Sequence, residues 1–482
     1  MTSKLRRLSP AAILFFFYKD VKNLIIPAAI FAFAVFQQAK LWTIVGLITL
    51  FLVVLIGDVI AYFMFGYQLF ENEILVKQGL FVKKVNHIPY DRIQNVTANQ
   101  WFFLKPFKLE ELEIETAGHS EGPEVSLVAV SVELKNELNH YRQNSGRPVT
   151  EVNDGTDNSK EKINGQTYSI TWRELIKFSL TSPAFLSGLL VVLAVYGKVE
   201  HAISKQMYEQ VAHEFIHWGW LLVVLGMLVI ILIFYIVSVF VLIAKYYHFH
   251  LTMENNQFEM QYGFFKTKKT SISQARIQAV VVKQTLLRRV LHIATVKLVI
   301  ISNSKSEETE KDIIVMPVIE TAKLKAFFQR FFPDIPIKAW QPQATGHETY
   351  YYNLRNGLYF SLITDVLAGL LLFKLSYVLL VVAIVVSAII WLIPAYLNAR
   401  RADLQVLNSK YVCLQNNQIT SKNTYFIPKN SIQLLDRRQS IWLGKKGFAH
   451  LRLSCRSGIT ERILKVKYLP QKRVDTVLAW YK

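Results

Sequence analysis

His213-Glu214-Phe215-Ile216-His217 sets two histidines four residues apart around a glutamate. On a helix that spacing puts both imidazoles on one face, where they can grip zinc while the glutamate activates a water. A third ligand would have to come from His201 or Glu209, because the span that follows is purely apolar. The pattern fixes only three positions, and its neighbours Trp218-Gly219-Trp220 suit an interfacial aromatic belt. The expectation is therefore a chance match, with no catalytic residue, metal or cofactor. Zinc metalloproteolysis through His213, Glu214 and His217 stays as a remote third reading.

Two acids stand inside apolar runs, Asp58 in Gly-Asp-Val-Ile-Ala and Asp365 in Thr-Asp-Val-Leu-Ala. Intramembrane carboxylates are costly and suggest a pairing or an ion path. Each lies about two helical turns from the cytoplasmic edge, at ~1.5 Å per residue. That depth also suits a carboxylate that reaches shallow water or caps a neighbour, the reading favoured here. No phosphate loop, Ser-His-Asp order or paired metal-binding cysteines accompany them; Cys413 and Cys455 imply no disulfide framework.

The elements that would position these residues follow from composition. Of 482 residues 52% are hydrophobic and 19% charged, with a formal net charge of +20. A multi-pass membrane protein with basic soluble parts fits this balance. The apolar runs pair as 23–39 with 41–65, 179–197 with 216–244, and 357–373 with 376–397, giving six spans in three hairpins. Lys4, Arg6, Arg7, Lys19, Lys22, Lys245, Arg400 and Arg401 flank one side, so the termini and large polar segments are expected in the cytoplasm. The N-terminus has no small-residue cleavage site and reads as retained rather than as a signal peptide.

Each polar segment carries one sequence unit: IQNVTANQ at 93–100, IQAVVVKQ at 277–284 and IQLLDRRQ at 432–439. An offset of 184 residues also aligns Gly79-Leu80-Phe81 with Gly263-Phe264-Phe265, and one of 339 aligns Ile88-Pro89 with Ile427-Pro428. Short alternating strands surround each anchor and an amphipathic helix closes each unit, the pattern of a small β-structure plugged by a helix. Ile93, Ile277 and Ile432 are expected in the core. Gln94, Gln100, Gln278, Gln284, Gln433 and Gln439 are expected to bond local backbone.

This arrangement resembles the bacterial pleckstrin-homology-like membrane proteins, the YdbT-like family. The resemblance implies two curved antiparallel sheets closed by a C-terminal helix, and a smaller membrane partner with one hairpin and one such domain. The third copy departs from the pattern, since TSKNTYFIP lacks the Gly-Leu-Phe turn.

The expected organisation is an N-terminal interfacial segment (1–22), hairpin 1 (23–65), PH-like domain 1 (66–143), a polar linker (144–166), an interfacial segment with hairpin 2 (167–244), domain 2 (245–340), an interfacial segment with hairpin 3 (341–398) and domain 3 (399–482). The stretches LSPAAILFFFYKDVKN, YSITWRELIKFSL and ETYYYNLRNGLYF read equally as helices lying in the headgroup layer or as extensions of the next span. Residues 67–143 hold 8 Lys+Arg against 11 Asp+Glu, 245–340 hold 15 against 8, and 400–482 hold 17 against 4. Lys266, Lys268, Lys269, Arg288, Arg289, Arg437, Arg438, Lys445 and Lys446 are candidate contacts to anionic lipid or a partner. The acidic first domain suggests docking on a basic sibling domain or on another protein. Nucleic acid is not expected, for want of a reading helix or RNA motif.

The sequence thus reads as a non-enzymatic scaffold or assembly protein of the bacterial cytoplasmic membrane, able to bind lipids, a smaller membrane protein or a second copy of itself. A lipid or peptide exporter, or an envelope-protection factor, is the alternative.

Overall fold

The computed structural model describes residues 5–36, 40–79, 82–116, 123–144, 166–183, 219–254, 256–301, 312–341, 347–372, 377–418, 421–457 and 460–482. The chain divides into two compact units, one of residues 1–163, 179–250 and 259–271, the other of 164–178, 251–258 and 272–482.

In the first unit, helices α1 (Ala12–Phe36) and α2 (Lys40–Met64) precede the first repeat. Strands β1 (Gly66–Leu69), β2 (Glu73–Gln78) and β3 (Lys84–Pro89) form one antiparallel sheet in that order. A single 3₁₀ turn, Tyr90–Arg92, leads into β4 (Ile93–Trp101), followed by β5 (Leu109–Thr116), β6 (Val125–Ser131) and α3 (Glu133–Asn144). The period-two burial of these strands fills one core, which includes Ile74, Val76, Ile88, Val96, Leu112, Ile114 and Leu127. Leu134 and Leu138 of α3 close it. Each such fully buried side chain contributes roughly 1.5–3 kcal/mol.

Helix α1 begins well before the apolar run and is unbroken into it, so 12–22 and the apolar run belong to one continuous helix. Burial explains the extension: Leu8, Ala12 and Phe15 enter the domain core, while Arg6 and Tyr67 exchange backbone bonds of 2.8 and 3.0 Å. The same holds before the third repeat, where helix α8 (His347–Leu372) runs continuously from the aromatic stretch into the apolar one. Thr349 Oγ1 donates to the Tyr468 carbonyl at 2.9 Å, and the rings of Tyr352 and Tyr468 stack at 5.1 Å. The middle stretch behaves differently. There a short helix α4 (Trp172–Leu180) stands alone, started by a capping box between Thr171 and Glu174.

Also in the first unit are helix α5 (Gly219–Lys245), part of strand β9 (Gln257–Tyr262), and most of β10 (Lys266–Ser273). Gly79 after β2 and Gly263 after β9 turn these hairpins at φ +115° and +119°. A Cβ there would come within 2.0 Å of the carbonyl of Val82 or Lys266, so only glycine fits.

The second unit holds β7 (Gln166–Ser169), most of β8 (His250–Glu254), β11 (Ile277–Thr285), α6 (Leu286–Val290), β12 (Ile293–Ile300), β13 (Ile313–Glu320) and α7 (Leu324–Phe331). Helices α8 and α9 (Tyr377–Arg401) lead to β14 (Asp403–Val406), β15 (Tyr411–Gln418), β16 (Ser421–Pro428), β17 (Ile432–Arg438), α10 (Ile441–Lys445), β18 (Phe448–Ser457), β19 (Thr460–Pro470) and α11 (Gln471–Tyr481). Its large sheet runs β13-β12-β11-β16-β15-β14, and its small one β17-β18-β19. Phe327, Phe328 and Phe331 of α7, and Val474 and Val477 of α11, are the buried faces of the closing helices.

Among the described residues, three helices are long and apolar enough to cross a membrane: Ile44–Met64 within α2, Leu228–Lys245 within α5, and Tyr377–Arg401. Helix α1 packs on α2, and α8 on α9. The expected span at 179–197 lies almost wholly outside the described residues, as do the 144–166 linker, apart from its first and last residues, and His213, Glu214 and His217.

Candidate functional site

The repeated Ile-Gln/Gln anchor has a repeated geometry. Each anchor strand shifts register at its second residue, between Ile93 and Asn95, Ile277 and Ala279, and Ile432 and Leu434. The glutamine of Ile-Gln therefore sits at a β-bulge, a device that bends a strand and increases its twist. The 3₁₀ turn just upstream recurs too, at Tyr90–Arg92, Gln274–Arg276 and Lys429–Ser431. Gln278 is half-buried and Gln433 exposed.

The trailing glutamine acts at the far end of the strand. Gln100, Gln284 and Gln439 each donate from Nε2 to the carbonyl nine residues on, those of Leu109, Ile293 and Phe448, at 3.4, 3.4 and 2.9 Å. This bond spans the connector between the fourth and fifth strands of each repeat. In each connector the residue before the fifth strand has positive φ, namely Lys108, His292 and Gly447. Ile93 and Ile432 are buried as expected. Ile277 is not: it is half-buried and lines a cavity of about 60 Å³ with Phe332, Tyr411 and Phe426.

The anchor strands do more than close their own sheets. Strand β4 of the first repeat pairs antiparallel with β10 of the second, Trp101 facing Lys266, Gln100 facing Thr267, Asn99 facing Lys268 and Ala98 facing Lys269. Strand β11 of the second pairs likewise with β16 of the third, where Thr285, Gln284, Lys283 and Val282 face Ser421, Lys422, Asn423 and Thr424. Shifted by the repeat offsets, the two registers are identical. Consecutive repeats thus join edge to edge, the β-augmentation geometry that other proteins use to capture peptides.

The first junction is strongly charged. Lys266 lies 3.7 Å from Glu111 and over the Trp101 ring at 4.8 Å. Burial pushes the carboxyls of Glu110 and Glu113 up, opposed by Lys135 and Lys269 for the former and by Lys266 and Lys268 for the latter. Burial lowers the Lys135 ammonium, opposed by Glu259 and Glu110. Lys266, Lys268 and Lys269 consequently line a strand junction and are not free surface cations.

Arg288 also departs from its expected role. It is 7% exposed, donates to Thr295 Oγ1 at 2.6 Å and lies over the Phe178 ring at 4.4 Å. Position 288 falls on the inner side of the one-turn helix α6, capped by Thr285, whereas Arg289 faces solvent. Arg289 shares its field with Arg401 and Lys422, and burial together with their repulsion lowers the Lys422 ammonium. Arg437 pairs with Asp475 at 2.8 Å and Arg438 with Asp436 at 3.1 Å, while Lys445 and Lys446 are exposed.

Asp58 of α2 is buried, and its Oδ2 has no hydrogen-bond partner. Asp365 of α8 accepts from Ser361 Oγ at 3.2 Å and belongs to a small polar node. Ser361 and Thr364 reach Ser387 Oγ of α9 at 3.2 and 2.7 Å. Sequence reading missed the hydroxyl partners, although Ser361 and Asp365, four residues apart, share a helix face. Both thiols are buried and unbonded; burial pushes Cys455 up to about 11.

No solved structure matches the chain. It is 23% identical to the "UPF0699 transmembrane protein YdbT" of Bacillus subtilis (strain 168) over 356 residues, 70% of this chain and 71% of that one. The family model described as "Bacterial PH domain" matches three times, over residues 21–143, 199–330 and 363–482. The three matches each contain one anchor, its bulge and its closing helix, and the chain belongs to the bacterial PH domain family.

Proposed function

We propose that this membrane protein is a non-enzymatic scaffold of the bacterial cytoplasmic membrane, with six spans in three hairpins and with both termini and all three PH-like domains in the cytoplasm. Its domains act as a docking platform for a protein partner, and their basic residues press on anionic headgroups. The observation that carries this reading is the edge-to-edge joining of consecutive repeats in one register. Phe15 fixes the first domain to helix α1, and Thr349 fixes the third to helix α8. Arg289, which faces solvent, offers a cation suited to lipid phosphate.

Mild extraction from native membranes, affinity capture and mass spectrometry test the platform. A stoichiometric protein surviving moderate salt is the expected result. A preparation carrying lipid alone would overturn it and favour lipid or peptide export. That second reading draws on buried Asp58 and on the Ser361, Thr364, Asp365 and Ser387 node, polar groups inside apolar helices.

A further inference from the structure

Two internal junctions use two of the three anchor strands, β4 and β11. The third anchor strand, β17, is left at the edge of its three-stranded sheet. Carrying the shared register forward by the repeat offset sets Ser440, Gln439, Arg438 and Arg437 in the places of Trp101, Gln100, Asn99 and Ala98. The apolar contact beside the first junction has its counterpart as well. There Phe102 N–H donates to the Phe265 carbonyl at 2.8 Å and the two rings meet edge-on at 6.4 Å. Phe102 and Phe103 correspond to Ile441 and Trp442, each 78% exposed. An open edge strand flanked by two large exposed apolar side chains is an unfilled pairing site.

We infer that the β17 edge, with Ile441 and Trp442, binds the third strand of a PH-like domain on a different polypeptide, one that carries an acidic residue opposite Arg438. The inference rests on the platform reading and names its docking surface. The register selects the chemistry of the occupant. A second copy of this chain would offer its own β3, also at a sheet edge, and the same register would place Lys84 directly opposite Arg438. Like charges directly opposite destabilise a pair. Neither internal junction contains such a pair, and the first sets lysines against an acidic neighbour strand. Around the open edge Arg437, Arg438, Lys445 and Lys446 outnumber Asp436 and Asp475, the partners of the two arginines, so an acidic visiting strand is the complementary one.

The test places the photo-cross-linker p-benzoylphenylalanine at Trp442, and separately at the exposed control Lys472, in the full-length protein in its native membrane. The expected result is an adduct from position 442 alone, mapped by mass spectrometry to one strand of a second polypeptide bearing Asp or Glu. In an Arg437→Glu, Arg438→Glu background the adduct should fall at least fivefold at normal protein abundance. An adduct to this same chain, or to lipid, overturns the inference. Equal yields at both positions, or no change on charge reversal, also overturn it. If affinity capture still returns a stoichiometric partner in those cases, the platform reading survives and only the docking surface is wrong. If capture returns none, both fail.

Discussion

The two internal junctions share a backbone register and almost nothing else. At the first, lysines of β10 face Trp101 and the acid-rich β5 beyond it; at the second, β11 meets β16 through Val281 against Tyr425 and Val280 against Phe426, and Tyr425 joins Val281 in one buried cluster. The first is charged along its length; the second has a polar end, where Gln284 faces Lys422 and Lys283 faces Asn423, and a dry end at Val280 and Val281. Since register is the same in both, side-chain charge does not set it. The shared features are the bulge at Ile-Gln and the glutamine that clamps the strand's far end. Backbone devices fix where the strands meet, and side chains decide how strongly and with whom.

The largest way to break this comparison is to attack the dry end of the second junction. Val281→Asp buries a carboxylate at a position 2% exposed, with no partner cation opposite. A loss of about 3–5 kcal/mol is expected, enough to unfold the second unit and cause degradation. The charged counterpart, Lys268→Asp, should leave abundance nearly normal. Cellular abundance and thermal unfolding of the purified protein distinguish them, and equal damage from both would show that the junctions do not differ as described.

The clamps come next. Gln100→Leu, Gln284→Leu and Gln439→Leu each remove one donor from a connector carbonyl. Losses of about 0.5–1.5 kcal/mol are expected. Gln439→Leu should cost most, because that bond is the shortest at 2.9 Å and Gln439 Nε2 also donates to Gln471 Oε1. An unchanged melting temperature in all three would remove the clamp from the account.

Much of this was legible beforehand because it is local and repeated. Three copies of one anchor, read against one another, identified the units; of the glutamines expected to bond backbone, Gln100, Gln284 and Gln439 donate to connector carbonyls. The junctions were not legible. Pairing between β4 and β10 joins residues more than a hundred and fifty positions apart, and a strand's sequence does not say which edge receives it. Arg288 and Arg289 are adjacent and identical in type, so only the one-turn helix α6 decides that the first turns inward. The same limit applies to Ile277, whose neighbours Phe332 and Phe426 come from distant elements. The continuity of α1 and α8 accompanies contacts to the domains from Phe15 and Thr349 that no hydropathy pattern encodes.

A pH experiment sharpens the contrast between charged groups that serve folding and those that only face water. Glu174 is 2% exposed, and burial acts to raise its carboxyl. Bonds from Thr171 N–H at 3.0 Å, Thr171 Oγ1 at 2.8 Å and Lys323 Nζ at 3.2 Å outweigh burial and hold it below the usual carboxylate range. A folded-state value below the unfolded one means that the stabilisation is fully present above the unfolded carboxylate range, near 4.3, and is lost as pH falls through the folded value. Glu174→Gln should therefore lower the melting temperature at neutral pH and flatten its decline in acid. Lys323→Met should do the same more weakly, since Lys323 is half exposed and solvent screens its share.

The smallest effect expected is at the charged junction itself. Lys266→Glu sets like charge beside Glu111, and Glu111→Lys does the converse beside Lys266, while the double swap restores opposite signs. With Lys266 about one-third exposed, the coupling in a double-mutant cycle should be below about 1 kcal/mol. It should shrink with added salt, because partly exposed pairs are screened over a Debye length of roughly 8–10 Å. The cation–π contact with Trp101 is lost in every variant that lacks a cation at 266, so the swap should recover only part of the wild-type stability. Full recovery would mean that neither the Trp101 ring contact nor the bonds that Glu111 accepts from Asn99, Trp101 and Ser126 contribute beyond opposite charge at this junction.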